Sequence, residues 1–522
     1  MSNKKNINLD KTAAFQTLQN IKSKKIDLKK LLTPKRIKEY LIKNKPLNLS
    51  YATSSIDNII LSLLQDLADE QCVIEKYTAL LSGKIANPGE KRKVLHHKTR
   101  SNKDRGLYGK EQKRIANFAN QIHQGTILSS KNKPFDTVIQ IGIGGSDLGP
   151  RAMYIALERY IKETKKKLPL KAHFIANIDP DDANNILSEI NFTTTLFIVV
   201  SKSGTTQETL TNLEFVKQKA IKAGIKKEDI SKHFIAVTGK NSPMDNPKEY
   251  LESFYIDNFI GGRYSSTSAV GGTMLSLAFG PEVFEEFLTG ASQMDEAAKN
   301  PNIKENMSLM SALISIYERN ILGLANKAII PYSEALARFP AHLQQLDCES
   351  NGKSVNMNFE PISYQTGPVI FGEPGTNSQH SFFQKMHQGS DVVPIQFIGF
   401  KKAQTKFDIK CFDSTSQTKL NANLIAQVAA LALGKDDKNA NKTFSGNRST
   451  SLVYAKQLTP KVLGALLAFY ENTVMFQSFI WNINAFDQEG VQLGKILTKE
   501  VLSKSEKNPV LSNLLSLINK ES

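Results

Sequence analysis

From about residue 135 onward, short apolar runs alternate with segments in which apolar residues recur every three or four positions. Such runs predict strands that are buried on both faces, and the periodic segments predict the helices that cover a parallel sheet. A helical stretch at about 265–325 interrupts the alternation, which then resumes. The predicted strands lie in the segments FDTVIQIGIGG, KAHFIAN, TTLFIVVSKSG, KHFIAVTG, NKAIIPYS, GPVIFGEPG and VVPIQFIGF.

This alternation predicts an α/β fold of two tandem three-layer αβα domains with mainly parallel sheets. The chain before about residue 125 has a mostly helical pattern, and long helical patterns recur at about 420–434 and 460–480. We therefore expect a helical N-terminal region at 1–125 packed on the α/β domains, a first domain at 126–300, a second at 301–502 and a C-terminal tail at 503–522.

Composition is ordinary for a folded globular protein, with 40% hydrophobic and 22% charged residues in 522. The N-terminus has no apolar core of a signal peptide, and a glutamate, an asparagine and a glutamine interrupt the apolar stretch 462–481. We therefore expect a cytoplasmic protein that is neither exported nor inserted in a membrane. Cys72, Cys348 and Cys411 match no zinc-site spacing and suit a reducing compartment.

The net charge of +17 raises the question of a nucleic-acid partner. The basic clusters, such as SKKIDLKKLLTPKRIKEYLIKNK and YIKETKKKLPLK, lack interleaved aromatic residues and match no groove-reading motif. A solvated basic surface that also attracts a small anionic substrate fits this pattern better. We expect no nucleic-acid partner.

The segment SKSGTTQET at 201–209 follows the apolar run TLFIVV and precedes a helical pattern, so it is a strand-to-helix turn. At a helix N-terminus, unpaired backbone N–H groups and the helix dipole favour an anion, and hydroxyl groups add donors. This turn is therefore a candidate phosphate site, although an ordinary Ser/Thr helix cap is the alternative for the segment alone.

A second strand-to-helix turn, GIGGSDLGP at 142–150, is also rich in glycine. It does not fit the dinucleotide fingerprint, because Asp147 stands where the third glycine is required. Gly145 would still let the backbone approach a sugar or phosphate, and Ser146 would supply a hydroxyl group. Since ligands bind at the carboxyl ends of parallel strands, we expect both turns to face one crevice.

The second half of the chain supplies titratable side chains, which in isolation are more often structural or solvated than functional. His380 and His387 are seven residues apart, but no compact set of ligands accompanies them, so we expect no metal site. Residues and spacing alone indicate a phosphate-binding α/β protein with candidate acid and base groups. The candidate acid and base groups are Glu349, His380, His387 and Lys495, and Gln345 and Gln488 stand near Glu349 and Lys495 in the sequence.

Two longer segments, FIGGRYSSTSAVGG (259–272) and WNINAFDQEGVQLGK (481–495), resemble the two signatures of the glucose-6-phosphate (phosphoglucose) isomerase family of the sugar-isomerase superfamily. SKSGTTQET, LDCESNGK and GEPGTNSQH also occur in the order of that family. The resemblance covers about 135–500 and implies reversible isomerisation of glucose 6-phosphate and fructose 6-phosphate. That reaction needs ring opening and proton transfer through a cis-enediol, without a metal or redox cofactor.

The resemblance also implies roles for individual residues. Glu349 matches the base, Arg263 the arginine near the enediolate, and Lys495 the lysine that assists ring opening. His380 matches the ring-opening histidine, which in this family reaches the site from the neighbouring subunit of a homodimer. Substrate contacts are implied for Gly145, Ser146, Ser201, Lys202, Ser203, Gly204, Thr205, Thr206, Gln345 and Gln488, and less firmly for Thr209.

One alternative function and one residue assignment stay open at this point. A non-catalytic sugar-phosphate sensor would need only the phosphate turn, whereas this chain also matches the four catalytic positions. The family also leads us to expect an arginine entering the site from the segment EKRKVLHHKTRSNKD, where Arg100 aligns by eye but its neighbours differ. We therefore leave Arg100 out of the predicted site.

Overall fold

The computed structural model describes residues 6–21, 26–503 and 508–519. Parts of the predicted N-terminal region and C-terminal tail, namely 1–5, 22–25, 504–507 and 520–522, lie outside the described residues. The described strands are β1 (Leu41–Asn44), β2 (Leu47–Ser50), β3 (Ile85–Asn87), β4 (Arg92–Lys93), β5 (Thr137–Ile141), β6 (Lys171–Ile175), β7 (Thr195–Ser201), β8 (Phe234–Thr238), β9 (Glu252–Tyr255), β10 (Asn326–Pro331), β11 (Val369–Phe371), β12 (Ile395–Lys402), β13 (Lys410–Cys411), β14 (Ser414–Thr415) and β15 (Thr450–Gln457).

The α-helices vary from one turn to six turns in length and join these strands. They are α1 (Ala13–Asn20), α2 (Leu28–Leu31), α3 (Pro34–Glu39), α4 (Asn58–Glu70), α5 (Val73–Leu81), α6 (Gly106–His123), α7 (Leu148–Lys165), α8 (Pro180–Ser188), α9 (Gln207–Lys222), α10 (Ala269–Phe279), α11 (Pro281–Ala297), α12 (Met307–Ile316), α13 (Phe339–Asn351), α14 (Phe383–Gln388), α15 (Ser416–Leu433), α16 (Pro460–Trp481), α17 (Gln492–Leu502) and α18 (Pro509–Asn519).

The first sheet has the strand order β6-β5-β7-β8-β9, and all its pairs are parallel. Every residue of the central strand β7 is buried, which explains its unbroken apolar run. Ile198 and Val200 point into the main core with α7 and α10, whereas Phe197 and Val199 pack with residues of α8 and α9. This sheet is therefore covered by helices on both faces.

The second sheet has the order β1-β2-β15-β12-β10-β11. β10, β11, β12 and β15 are parallel, while β2 pairs antiparallel with β15, and β1 pairs antiparallel with β2. Ile398 of β12 joins the main core, and the adjacent Phe397 packs with residues of α14 and α15. The predicted α/β class with mainly parallel sheets is confirmed, and a hairpin from the mostly helical N-terminal region extends the second sheet.

Two long helices, α11 and α16, cross in backbone contact between the sheets. A Cβ atom on Gly290 would lie 1.8 Å from the Lys461 carbonyl oxygen, and one on Gly464 would lie 1.8 Å from that of Phe287. Glycine at both positions lets the helix axes approach closely. One hydrophobic core includes residues of both sheets and of α11 and α16. The predicted boundary between the two α/β domains therefore stays a prediction.

α16 is a long helix that is almost entirely buried and yet carries a charged residue. Thr459 caps its N-terminus by accepting a hydrogen bond from the Val462 N–H, and Pro460 occupies the first helical position. Glu471, midway along α16, is fully buried and pairs with Arg100. Within the residues that the structure describes, no helix is long and apolar enough to cross a membrane.

Candidate functional site

The two glycine-rich segments 142–147 and 259–263 meet in direct backbone contact. A Cβ atom on Gly145 would lie 2.2 Å from the carbonyl carbon of Gly262 and 2.7 Å from the Arg263 nitrogen. Ser265 donates its hydroxyl to the Gly145 carbonyl at 3.3 Å. Glycine at 145 is therefore required by a close approach, which brings the turn after β5 against the segment that carries Arg263.

Arg263 is only 2% exposed, and it donates four hydrogen bonds inside the protein. Nε donates to Ser350 Oγ at 2.7 Å, and Nη2 donates to the carbonyls of Ala485 and Asp487 at 2.6 and 3.0 Å. Nη1 donates to Gln488 Oε1 at 3.0 Å and lies 3.2 Å from Glu349 Oε2. A guanidinium has five N–H donors, so this residue fixes the groups around it.

Glu349 lies in the last turn of α13, where Arg263 faces its carboxylate. Its side chain is 21% exposed, which leaves the carboxylate accessible to a small molecule. Gln345 lies one turn earlier on α13, and a Cβ atom on Gly144 would be 3.4 Å from its Nε2. The helix thus presents Gln345 and Glu349 on one face toward both glycine-rich segments.

The turn at 201–206 lies between β7 and the N-terminus of α9, as its sequence predicts. Gly204 has φ +68°, a conformation that favours glycine, and a Cβ there would meet the Met244 nitrogen at 3.0 Å. Ser201 Oγ and Thr206 Oγ1 are hydrogen-bonded at 2.8 Å, and Thr205 Oγ1 donates to Ser203 Oγ at 3.0 Å. This cradle therefore gathers four hydroxyl groups at a helix N-terminus.

Lys202 connects the cradle to the segment that carries Arg263, because its Nζ donates to the Ile260 carbonyl at 3.2 Å. Burial lowers the pKa of the Lys202 ammonium below its ordinary value, and the nearby positive charge of Arg92 lowers it further. An anion beside Lys202 would relieve this repulsion. The cradle and the Glu349–Arg263 pair are thus parts of one continuous region at the carboxyl ends of the first sheet.

The phosphoglucose isomerase family model matches residues 50–518 of this chain. The chain belongs to this family. A glucose-6-phosphate isomerase of Treponema denticola is 55% identical over 514 residues, covering 95% of this chain and 96% of that protein. One of Borreliella burgdorferi is 48% identical over 509 residues and covers 95% of both proteins. The crystal structure of a glucose-6-phosphate isomerase from Chlamydia trachomatis has 41% identity and a TM-score of 0.92, covering 98% of this chain and 99% of that chain.

Two of the residues that match the phosphoglucose isomerase family lie apart from the Arg263 cluster. His380 ends a short 3-10 helix after β11 and is exposed, and Lys495 is exposed on α17. α17 begins soon after Gln488, and its far end lines a groove with Thr205. The helix that carries Lys495 therefore extends from the Arg263 cluster toward the cradle, whereas no described contact joins His380 to either.

Ser146 and Thr209 also have defined surroundings in this family member. Ser146 is half-buried in the turn that contacts Gly262, and its backbone carbonyl accepts from Gln140. Thr209 is 1% exposed on α9, one turn beyond the cradle, and its hydroxyl has no hydrogen-bond partner among the described residues. Ser146 thus borders the site, whereas Thr209 lies beneath the cradle rather than at its surface.

Arg100 lies between two buried carboxylates rather than beside Glu349, and its omission from the site stays a prediction. It is fully buried, donates to both carboxylate oxygens of Asp295 at 2.7 and 2.9 Å, and also pairs with Glu471. A buried guanidinium of this kind balances two buried carboxylates between α11 and α16. From the same N-terminal segment, Arg92 instead lies near Lys202.

Sequence reasoning missed Lys353 and Asp487, which form an ion pair of 2.9 Å beside the Arg263 cluster. Both residues stand inside segments that resemble the family, but the sequence analysis assigned them no role. Their distance of 134 positions along the chain gave no local signal that they meet. Within the described part of the chain, no group of three or more His, Cys, Asp or Glu side chains is placed to hold a metal ion.

Proposed function

We propose that this protein interconverts glucose 6-phosphate and fructose 6-phosphate, as the names of its relatives indicate for those proteins. The observation that carries the proposal is the accessible Glu349 carboxylate, held 3.2 Å from the buried Arg263 guanidinium beside a hydroxyl-lined cradle. A sugar phosphate has a group for each part of this site. Its phosphate group would bind the cradle, and its carbon chain carries the acidic proton that the Glu349 carboxylate could take. The described contacts favour this reaction over passive binding.

The cradle would bind the phosphate group of the substrate. The hydroxyl groups of Ser201, Ser203, Thr205 and Thr206 and the α9 N-terminus supply donors, and the Lys202 ammonium supplies charge. Since Lys202 also contacts the Ile260 carbonyl, the phosphate is anchored at a fixed position relative to Arg263. Binding at this remote group orients the reacting carbons.

Glu349 would move the proton between C2 and C1. In the aldose-to-ketose direction its carboxylate takes the C2 proton, the hydroxyl proton on O2 is lost as O1 gains one, and Glu349 returns its proton to C1. The intermediate enediolate carries negative charge, which the Arg263 guanidinium stabilises without losing its own proton. The role of Glu349 is analogous to that of the glutamate base in triosephosphate isomerase, a worked example of this chemistry.

Ring opening would use His380 and Lys495, with Gln345 and Gln488 as hydrogen-bonding partners of the sugar. Histidine is a common donor and acceptor of protons in catalysis. Gln345 Oε1 is buried and has no hydrogen-bond partner among the described residues, so it can accept from a sugar hydroxyl. The α17 helix would bring Lys495 to the sugar, since α17 lies between Gln488 and the cradle.

His380 would act from the second subunit of a homodimer. Its exposed position, apart from the Arg263 cluster, supports this arrangement. Exposed apolar side chains on α17 and α18 give a second reason, because Leu493 and Leu517 are 65% and 77% exposed. A second copy of the chain would cover these helices and supply the histidine. We also propose that the enzyme acts in glycolysis and gluconeogenesis in the cytoplasm and uses no metal or redox cofactor.

The test compares the wild-type protein with Glu349→Gln in conversion of fructose 6-phosphate to glucose 6-phosphate, with EDTA present. Loss of a general base costs about a hundredfold to ten-thousandfold in rate, so we expect near-complete loss of kcat. Binding of a sugar phosphate, measured by calorimetry, should be retained because the cradle is unchanged.

A folded wild-type protein that binds sugar phosphate but does not isomerise it would favour the sensor instead. Near-normal turnover by Glu349→Gln would show that another group is the base. Ser201→Ala with Thr206→Ala is the matched variant for the opposite end of the substrate, and it should mainly raise KM.

A further inference from the structure

Lys353 lies just beyond the C-terminus of α13 and joins two separate segments of the site. Its Nζ donates to the Glu349 carbonyl at 2.9 Å and to the Asp487 carbonyl at 3.0 Å. It also forms an ion pair of 2.9 Å with Asp487 Oδ1, and both side chains are 15% exposed. The ammonium therefore ties the last turn of α13 to the loop that leads to Gln488.

The number of contacts decides between substrate binding and positioning. Lys353 Nζ donates two hydrogen bonds to backbone carbonyls, and the Asp487 carboxylate lies beside it as the partner of its charge. The ammonium is therefore already engaged by the protein. Lys353 would thus act through the residues that it holds rather than by touching the substrate.

Arg263 shares one of these acceptors. The Asp487 carbonyl accepts from both Lys353 Nζ and Arg263 Nη2, at 3.0 Å in each case. Arg263 Nη1 in turn faces the Glu349 carboxylate at 3.2 Å. The backbone of Glu349, the loop at 485–488 and the Arg263 guanidinium are consequently connected through Lys353 and Asp487.

The other oxygen of the Asp487 carboxylate fixes the same loop from its far side. Asp487 Oδ2 accepts from Asn484 Nδ2 at 2.7 Å, and this amide also donates to Asn87 Oδ1 at 3.0 Å. The loop is therefore anchored on β3 independently of Lys353. Removing Lys353 would loosen the end of α13 relative to this loop and leave the contacts of Arg263 with Ser350 and Glu349 as a remaining link.

We propose that Lys353 and Asp487 are a positioning pair that fixes the Glu349 carboxylate relative to C1 and C2 of the substrate. This inference rests on the proposed isomerisation. One carboxylate must take a proton from C2 and return it to C1, so it must lie within reach of both carbons. A displaced carboxylate returns the proton more slowly, and the intermediate then exchanges that proton with solvent more often.

The experiment measures kcat, KM and the deuterium incorporated per turnover in heavy water for Lys353→Met, Asp487→Asn and the double variant. We expect kcat to fall by about tenfold to a hundredfold, the usual cost of a misplacement of about 1 Å. KM should stay within about twofold, since the phosphate cradle supplies most of the binding. Deuterium incorporation should rise, and the double variant should be no worse than the poorer single variant because the two changes are coupled.

Lys217→Met is the matched control, because Lys217 forms an ion pair with Glu249 at 2.7 Å and its side chain is 17% exposed. It should behave like the wild type. Unchanged kcat and deuterium incorporation in Lys353→Met would overturn the inference, and so would a fall in kcat without a rise in deuterium. If Lys353→Met does not fold, Asp487→Asn, which keeps the shape of the side chain, decides by the same two measurements. A wild-type protein without isomerase activity would instead overturn the proposed function itself.

Discussion

At the scale of single residues, the site contains two cations of different chemistry, the Arg263 guanidinium and the Lys202 ammonium. Arg263 is a guanidinium that donates four hydrogen bonds inside the protein. Lys202 has a lowered pKa because it is buried and lies near Arg92. The proposed phosphate end therefore contains a cation that a rise in pH can neutralise, whereas the cation at the proposed enediolate end is a guanidinium.

This difference predicts an alkaline decrease in kcat/KM that depends on Lys202. Lys202 is charged below its pKa and neutral above it, so affinity for the phosphate falls as pH rises through that lowered pKa. The substrate phosphate is already a dianion there, since its second pKa is about 6. Lys202→Arg should move the decrease to higher pH, as a guanidinium keeps its proton.

The measurement is KM and kcat of the wild type, Lys202→Arg and Lys202→Met from neutral to alkaline pH. A charge-assisted hydrogen bond contributes about 1.5–3 kcal/mol, so Lys202→Met should raise KM roughly tenfold or more already at neutral pH. An alkaline decrease that is the same in the wild type and in Lys202→Arg would assign the titration to another group.

At the scale of elements, the site depends on the contact between two backbone segments. The turn after β5 lies against Gly262 and Arg263 so closely that a Cβ atom on Gly145 would be 2.4 Å from the Gly262 carbonyl oxygen. Gly262 itself has more room, because a Cβ there would meet Gly145 Cα at 3.7 Å. The two neighbouring glycines thus have very different steric requirements.

Gly145→Ala should therefore displace the segment that carries Arg263. We expect kcat/KM to fall by about a hundredfold, as for other misplacements of about 1 Å. The free energy of unfolding should fall by about 1–3 kcal/mol from overpacking. Steady-state kinetics and urea unfolding measure the two effects.

Gly262→Ala is the control for Gly145→Ala and should change kcat/KM by no more than a few-fold. Equal effects of the two substitutions would mean that the contact between the segments can relax. Activity near that of the wild type in Gly145→Ala would lead to the same conclusion.

At the scale of the whole molecule, the described chain contains one part of the proposed site and presents another part on its surface. Arg263 contacts both Glu349 and Gln488, whereas His380 is exposed and no described contact joins it to them. The buried Arg100, Asp295 and Glu471 cluster joins α11 to α16 and has a structural role between the sheets. The geometry thus separates groups that stabilise one subunit from groups that would complete a neighbouring site.

Mixed dimers of His380→Ala and Glu349→Gln test this separation. Each homodimer should be inactive, because every site lacks either the histidine or the base. In a mixed dimer, one site would combine Glu349 of the first chain with His380 of the second, so up to half of the wild-type activity per mixed dimer should return. The measurement is activity after unfolding and refolding the two variants together.

The control is each variant refolded alone at the same total concentration. Recovery should occur only in the mixture and should follow the amount of mixed dimer formed. If His380 acted in its own chain, both sites of the mixed dimer would stay defective and no activity would return.

The local pattern of the chain determined the strand-turn-helix units, since apolar runs, glycines and hydroxyl-bearing caps act within a few residues of one another. The cradle at 201–206 and the buried β7 follow directly from this. Strands β9 and β15 and the β1–β2 hairpin were not predicted, because short or alternating strands depend on their partners for stability. Family resemblance, rather than spacing, identified Glu349, Arg263, His380 and Lys495.

Only the tertiary structure decided which distant residues meet. Arg263 contacts Ser350 across 87 positions, and Lys353 contacts Asp487 across 134. A charged residue in a sequence gives no sign of its partner, because an ion pair is formed by packing rather than by local conformation. Arg100 is a further example. It aligns by eye with an arginine that the family places in the site, whereas in the fold it pairs with the buried carboxylates of Asp295 and Glu471. The sequence thus determined the strand-turn-helix units, and the packing of those units determined which charges act together.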